Sequence, residues 1–97
     1  MAEYAVLVSA RAEADLLEAR RWLTQPGSGL KARLRIARIG RAITELQFTP
    51  GRWPMGPAEG TRQRLVEGYT IIYRIDAHRL EARVMRVFGP YQDSTSL

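Results

Sequence analysis

The stretch Thr61–Phe88, TRQRLVEGYTIIYRIDAHRLEARVMRVF, decides the fold. Within it Tyr69, Ile71, Tyr73 and Ile75 alternate with Thr70, Ile72, Arg74 and Asp76, the period-two pattern of a strand with one apolar face. Gly68 before that run and Asp76-Ala77-His78-Arg79 after it are turn material. Arg62–Glu67 precedes it, and Leu80, Ala82 and Val84 resume the alternation. Three short strands joined by tight turns form an antiparallel meander. The last strand is imperfect, since Met85 and Val87 point opposite to Leu80, Ala82 and Val84. A bulge near Val84 and burial on both faces each account for that. One face of the sheet must be covered, and the helical material between Ala10 and Phe48 is the cover.

Working back towards the N-terminus, TPGRWPMGPAEG (49–60) holds three prolines and three glycines and is read as irregular. It is a long connection for a compact domain, in which Trp53 and Met55 either pin the loop to the core or belong to a partner surface. A helix is expected over Leu30–Phe48, with Ile36, Ile39, Ile43 and Leu46 as its apolar stripe and Leu30, Leu34 and Ala37 alongside. Gly40, in or beside that stripe, suggests close approach of a second helix. That helix is expected over Ala10–Gln25, capped by Ser9, with Ala12, Leu16, Ala19, Trp22 and Leu23 on one face. Pro26-Gly27-Ser28-Gly29 joins the two as a hairpin. Tyr4–Val8 reads as a first strand, buried on both sides or nearly so. The expected fold is therefore α+β, in the order β-α-α-β-β-β, with a helix hairpin on one face of a mostly antiparallel four-stranded sheet.

Ninety-seven residues allow one domain over 1–97, with a polar tail from about residue 94. There is no cysteine, which removes disulfides and thiolate chemistry and suits a reducing cytoplasm. The start MAEYAVLVS lacks the basic region of a signal peptide, and no run approaches the ~20 apolar residues of a membrane span. A cytoplasmic protein without membrane attachment is expected. The net charge of +5 rests on arginine, with Lys31 the single lysine. Arginine forks hold carboxylates and phosphates bidentately, so an anionic partner is one reading and a solvated surface the other. Lys31, Arg33, Arg35, Arg38 and Arg41 form the densest positive run, with no acid before Glu45.

The order strand, helix hairpin, Pro/Gly loop and meander resembles the ParE toxins of the RelE/ParE superfamily, the plasmid-stabilisation type of toxin–antitoxin pair. Tyr4-Ala5-Val6 with Ser9, Ala12, Asp15 and Leu16 resembles the family's opening, and Leu46, Phe48, Pro50 and Gly51 the end of its second helix. Arg62–Val66 followed by Gly68–Ile75 is the most specific piece, and Val84–Val87 with Gln92-Asp93 resembles the closing strand. The resemblance implies a toxin neutralised by a ParD-like antitoxin, whose acidic or amphipathic C-terminal segment folds along the toxin. It implies inhibition of DNA gyrase by binding, with no cofactor and no direct nucleic-acid binding expected without the antitoxin. RelE-type relatives instead cut messenger RNA on the ribosome, which needs clustered basic groups and often a tyrosine. Here the loop before the meander has no lysine, Thr70 stands where the ribonucleases commonly carry arginine, and Phe88-Gly89-Pro90-Tyr91 lacks their basic pair. A non-toxic interaction module with the same fold is the third reading.

On this basis no catalytic residue is expected; a ribonuclease would use Arg62, Arg64, Arg86 and Tyr91. Trp22, Lys31, Arg35, Arg38 and Trp53 are the candidates for antitoxin binding, and Arg64, Arg74, Arg83, Arg86 and Tyr91 for target binding. Alternation is compatible with Arg62, Arg64, Arg74 and Arg86 sharing the face away from the helices, while Tyr69 and Tyr73 read as core. No metal site is expected, because one histidine and no cysteine cannot supply the common zinc sets. His78, between Asp76 and Arg79, reads as an exposed turn residue.

Overall fold

The computed structural model describes residues 3–92, so Asp93 and the tail from about 94 lie outside the described residues. The chain runs β1 (Ala5–Val8), α1 (Ala10–Leu23), α2 (Gly29–Thr44), two 3-10 turns (Glu45–Gln47 and Pro50–Arg52), β2 (Arg62–Val66), β3 (Tyr69–Asp76) and β4 (Glu81–Phe88). The four strands form one sheet in the order β1-β4-β3-β2, parallel between β1 and β4 and antiparallel elsewhere. This is the α+β layout read from the sequence.

The β2–β3 hairpin turns on Glu67-Gly68, both at positive φ (52° and 80°), which pairs Val66 with Tyr69. Positive φ at both central residues matches the twist of the flanking strands, and glycine meets it without steric cost. Between β3 and β4 the Asp76 carboxylate accepts from the Arg79 N–H at 3.1 Å and holds the turn. The irregularity in β4 is a bulge. Ile72 pairs with Arg86 and Tyr73 with Val84, leaving Met85 unopposed. Both explanations of the broken pattern operate, because Ile72 and Phe88 are also buried, on the face opposite the core.

The core lies between the helices and the inner face of the sheet, where Tyr69, Ile71, Tyr73, Ala82, Val84 and Val87 meet Ala12, Ala19, Leu23, Ala32, Ile39, Ala42, Ile43 and Leu46. Each large apolar side chain buried there contributes roughly 1.5–3 kcal/mol. The alanines let the helices approach. Gly40 does not, because it is exposed and a Cβ added there would meet no atom within 4 Å. Leu30 and Leu34 likewise face outwards rather than joining the stripe. Both helices stop sooner than expected. α1 ends at Leu23, where the Thr24 N–H and hydroxyl both donate to the Arg20 carbonyl, and α2 tightens into 3-10 geometry at Glu45.

The reading of β1 as a strand buried on both sides is corrected. It is an edge strand, with Ala5 and Leu7 exposed and only Val6 and Val8 packed on the core. It is also short, ending opposite Val84. Ser9 and α1 take over beyond that point. The Ser9 N–H donates to the Val84 carbonyl at 2.9 Å, its hydroxyl donates to the Met85 carbonyl at 2.9 Å, and the same oxygen accepts from the Ala12 N–H at 3.0 Å. One residue therefore finishes a strand ladder and caps a helix.

Candidate functional site

The sequence singles out three groups of side chains, and the fold separates them. Arg62 and Arg64 lie on the inner face, not the outer one, because the two-residue turn gives β2 the parity of Val66. Arg62 is paired with Tyr73 and donates to the Trp53 carbonyl at 2.6 Å. Arg64, only 14% exposed, donates to the Ala42 carbonyl at 3.0 Å and pairs with Glu45 at 3.0 Å. Its guanidinium also lies over the Trp53 ring, 4.2 Å from the centroid, with Arg52 at 5.1 Å. The irregular loop is thus fastened to the end of α2 through arginine. Trp53 packs against the core, whereas Met55 is exposed and touches β2 by a backbone bridge to Arg62.

Tyr73 lies under these two arginines and donates its hydroxyl to the buried Pro50 carbonyl. Burial pushes its pKa up to about 12, with Arg62 and Arg64 pulling the other way. Burial also raises that of Tyr69, opposed by Arg35. Both tyrosines are core residues, as read from the alternation.

Arg86 faces outwards yet reaches around the uncovered edge of β4 to α1. Its Nε and Nη2 donate to the Asp15 carboxylate at 2.8 and 3.3 Å, and its guanidinium lies 4.3 Å from the Phe88 ring centroid. Arg74 and Arg83 remain on the outer face, the first donating to the Glu59 carbonyl at 3.0 Å, the second paired with Glu81 at 2.8 Å. Tyr91 is exposed at the exit from β4 and makes no side-chain hydrogen bond to these arginines among the described residues.

The helix-face candidates divide similarly. Arg35 donates to the Glu67 carbonyl at 3.0 Å, and Arg38 meets the Glu67 carboxylate at 2.6 Å. The run with no neighbouring acid in sequence therefore finds one in space, at the β2–β3 turn. Lys31, Arg33 and Arg41 stay exposed. Trp22 is 61% exposed and lines a largely apolar groove of about 270 Å³ with Tyr69, Val87, Pro90 and Tyr91, its charged lining being the acids Asp15 and Glu18. This groove lies between α1 and the exit from β4, with no wall from α2, so it is not the cleft of the helix hairpin. Its β4 wall was not visible in the sequence; the exposed pair Trp22 and Tyr91 on a positively charged chain was the available hint. His78 is exposed in its turn.

A small four-stranded sheet with two helices on one side and an apolar groove beside exposed aromatics is an α+β domain with surface suited to holding another chain. The backbone superposes on a chain of the chromosomal ParDE system of P. aeruginosa with a TM-score of 0.68 at 20% identity, over 90% of this chain and 96% of that one. It superposes on a chain of the RelBE2 toxin–antitoxin complex of Mycobacterium tuberculosis with a TM-score of 0.67 at 25% identity, over 92% and 93%. No curated protein matches the chain. Residues 6–89 match the model of the ParE toxin of the type II toxin–antitoxin system parDE, and the chain belongs to that family.

Proposed function

We propose that this toxin-family chain acts by binding rather than by cutting RNA, that its target is DNA gyrase, and that a ParD-like antitoxin neutralises it. The observation that carries the reading is the engagement of the arginines a ribonuclease would need. Arg62 is held by the Trp53 carbonyl, Arg64 by Ala42 and Glu45, and Arg86 by Asp15. Tyr91 is exposed and has no side-chain hydrogen bond to any of the three among the described residues; it lines the Trp22 groove together with Asp15, the partner of Arg86. An acid–base set must converge within hydrogen-bond reach of the atoms it serves.

For the antitoxin, the proposed contact surface is the Trp22 groove with the cationic side of α2, led by Lys31 and the exposed side of Arg38. The aromatic anchor suits the apolar side of an amphipathic segment, and Lys31 and Arg38 on α2 its acids, while the groove itself is lined by Asp15 and Glu18 and takes the uncharged part of the segment. Arg35 and Trp53 support that surface indirectly, through the Glu67 turn and the loop. Purified protein added to gyrase is expected to block supercoiling, and pre-incubation with the antitoxin to restore it. Unimpaired supercoiling together with position-specific cleavage of messenger RNA on ribosomes would reverse the assignment.

A further inference from the structure

The outer face of the sheet, buried at Ile72 and Phe88, carries charges at its β3–β4 turn end in rows of like sign. Arg74 on β3 is registered directly opposite Arg83 on β4, and in the next row outwards Asp76 is registered opposite Glu81. Like charges facing each other across a strand pair destabilise a sheet. The compensation is one-sided. Glu81 accepts from Arg83 at 2.8 and 3.2 Å, and the Asp76 carboxylate accepts from the Arg79 N–H at 3.1 Å and lies 4.0 Å from the Arg79 Nε, which leaves Arg74 as the member of the two rows without an opposite charge. Arg74 meets only a backbone carbonyl, and among the described residues no carboxylate neutralises it. Leu7, 43% exposed, is registered beside Arg83 on the same face. No described helix lies over this side, since both helices pack on the other.

We propose that these two rows form the surface by which the toxin engages its target, and that the target presents a folded protein face of matching pattern. A carboxylate would sit against Arg74 and Arg83, a cation against Asp76 and Glu81 about 7 Å further along the strands, and an apolar side chain on Leu7. Arginine forks hold carboxylates bidentately, and complementary charge of both signs sets register as well as attraction. The acidic row disfavours a phosphate backbone, whose repeated negative charge would fall on Asp76 and Glu81. Locally unfavourable arrangements that the rest of the fold offsets are found at functional sites. The inference rests on the toxin reading but not on which protein is poisoned.

The test is R74Q/R83Q, with R74K/R83K as its charge-preserving companion, expressed in cells lacking the antitoxin. Wild type is expected to arrest growth, the glutamine pair to lose at least tenfold in killing, and the lysine pair to lie between. Thermal midpoints equal to or above wild type, with unchanged capture by immobilised antitoxin, would locate the loss in target engagement. A fully toxic R74Q/R83Q overturns the inference and leaves the toxin reading standing; a harmless wild type fails the toxin reading and takes the inference with it. Loss of antitoxin capture along with toxicity also overturns it, by assigning the rows to neutralisation. So does salt-dependent binding of a plain oligonucleotide that the glutamine pair abolishes, which would make phosphate the ligand.

Discussion

The carboxylate of Asp15 occupies the place of a missing strand beside Val87. Its Oδ2 accepts from the Val87 N–H at 2.9 Å, at the edge of β4 that β1 leaves bare beyond Val84, while Arg86 closes on it at 2.8 Å. The two side chains are 11% and 18% exposed, so neither group is well hydrated. Asp15→Ala strands a backbone donor and a guanidinium together, and a loss of about 2–4 kcal/mol is expected. Asp15→Asn, which keeps an acceptor for Val87 but no charge for Arg86, should fall between. Urea unfolding of D15A, R86A and the double variant measures this. A midpoint for D15A indistinguishable from wild type would remove the strand-substitute role.

Arg64 joins three elements, and its planar fork is the reason one residue suffices. Lysine keeps the charge but cannot serve Ala42 and Glu45 while covering the Trp53 ring. Arg64→Lys should cost about 1–2 kcal/mol and loosen the loop over residues 49–60 locally. Limited proteolysis and Trp53 fluorescence report the loosening. Equal cleavage rates for the variant and wild type would show that Trp53 is held by its core contacts alone.

Tyr73 makes stability fall in alkali. Its folded pKa of about 12 lies above the ordinary value of 10.0, so the folded chain holds the proton that the unfolded chain releases first. The contribution is complete below about pH 10 and is lost as pH rises towards 12. Tyr73→Phe should flatten that decline while losing the hydroxyl's bond to Pro50 at neutral pH, a cost of about 1 kcal/mol. Denaturant midpoints followed with pH test this; an unchanged alkaline slope in Y73F would assign the decline to other groups.

Much of the fold was legible because its signals are local. The alternation of Tyr69–Ile75, the glycine at 68 and the break at 26–29 each specify an element by short-range chemistry. The orientation of Arg62 and Arg64 was legible in principle, since pairing Val66 with Tyr69 across two turn residues places every second residue of β2 on the core side. What the chain hides is long-range. A short apolar run such as Ala5–Val8 reads alike at a sheet's edge or centre, and its partner lies more than seventy residues away. The partners of Arg38 and Arg86, Glu67 and Asp15, are distant in sequence too, so these arginines read as free charge when they are ties within the fold. Trp22 could be recognised as an anchor, but the wall facing it comes from the exit of β4.

Trp22 separates binding from folding more cleanly than any arginine. Its side chain is largely in water while Ala19 and Leu23 beside it carry the helix packing. Trp22→Ser should therefore leave stability within about 0.5 kcal/mol of wild type. An aromatic that becomes covered by a partner commonly contributes about 2 kcal/mol or more, so affinity for the antitoxin should drop at least roughly tenfold. Dissociation should quicken more than association slows, because losing an apolar anchor does not alter long-range charge steering. Calorimetric titration and a kinetic trace on the same protein batch decide it. Unchanged affinity would move the antitoxin off the groove and onto the α2 cations, where Lys31→Glu becomes the discriminating variant.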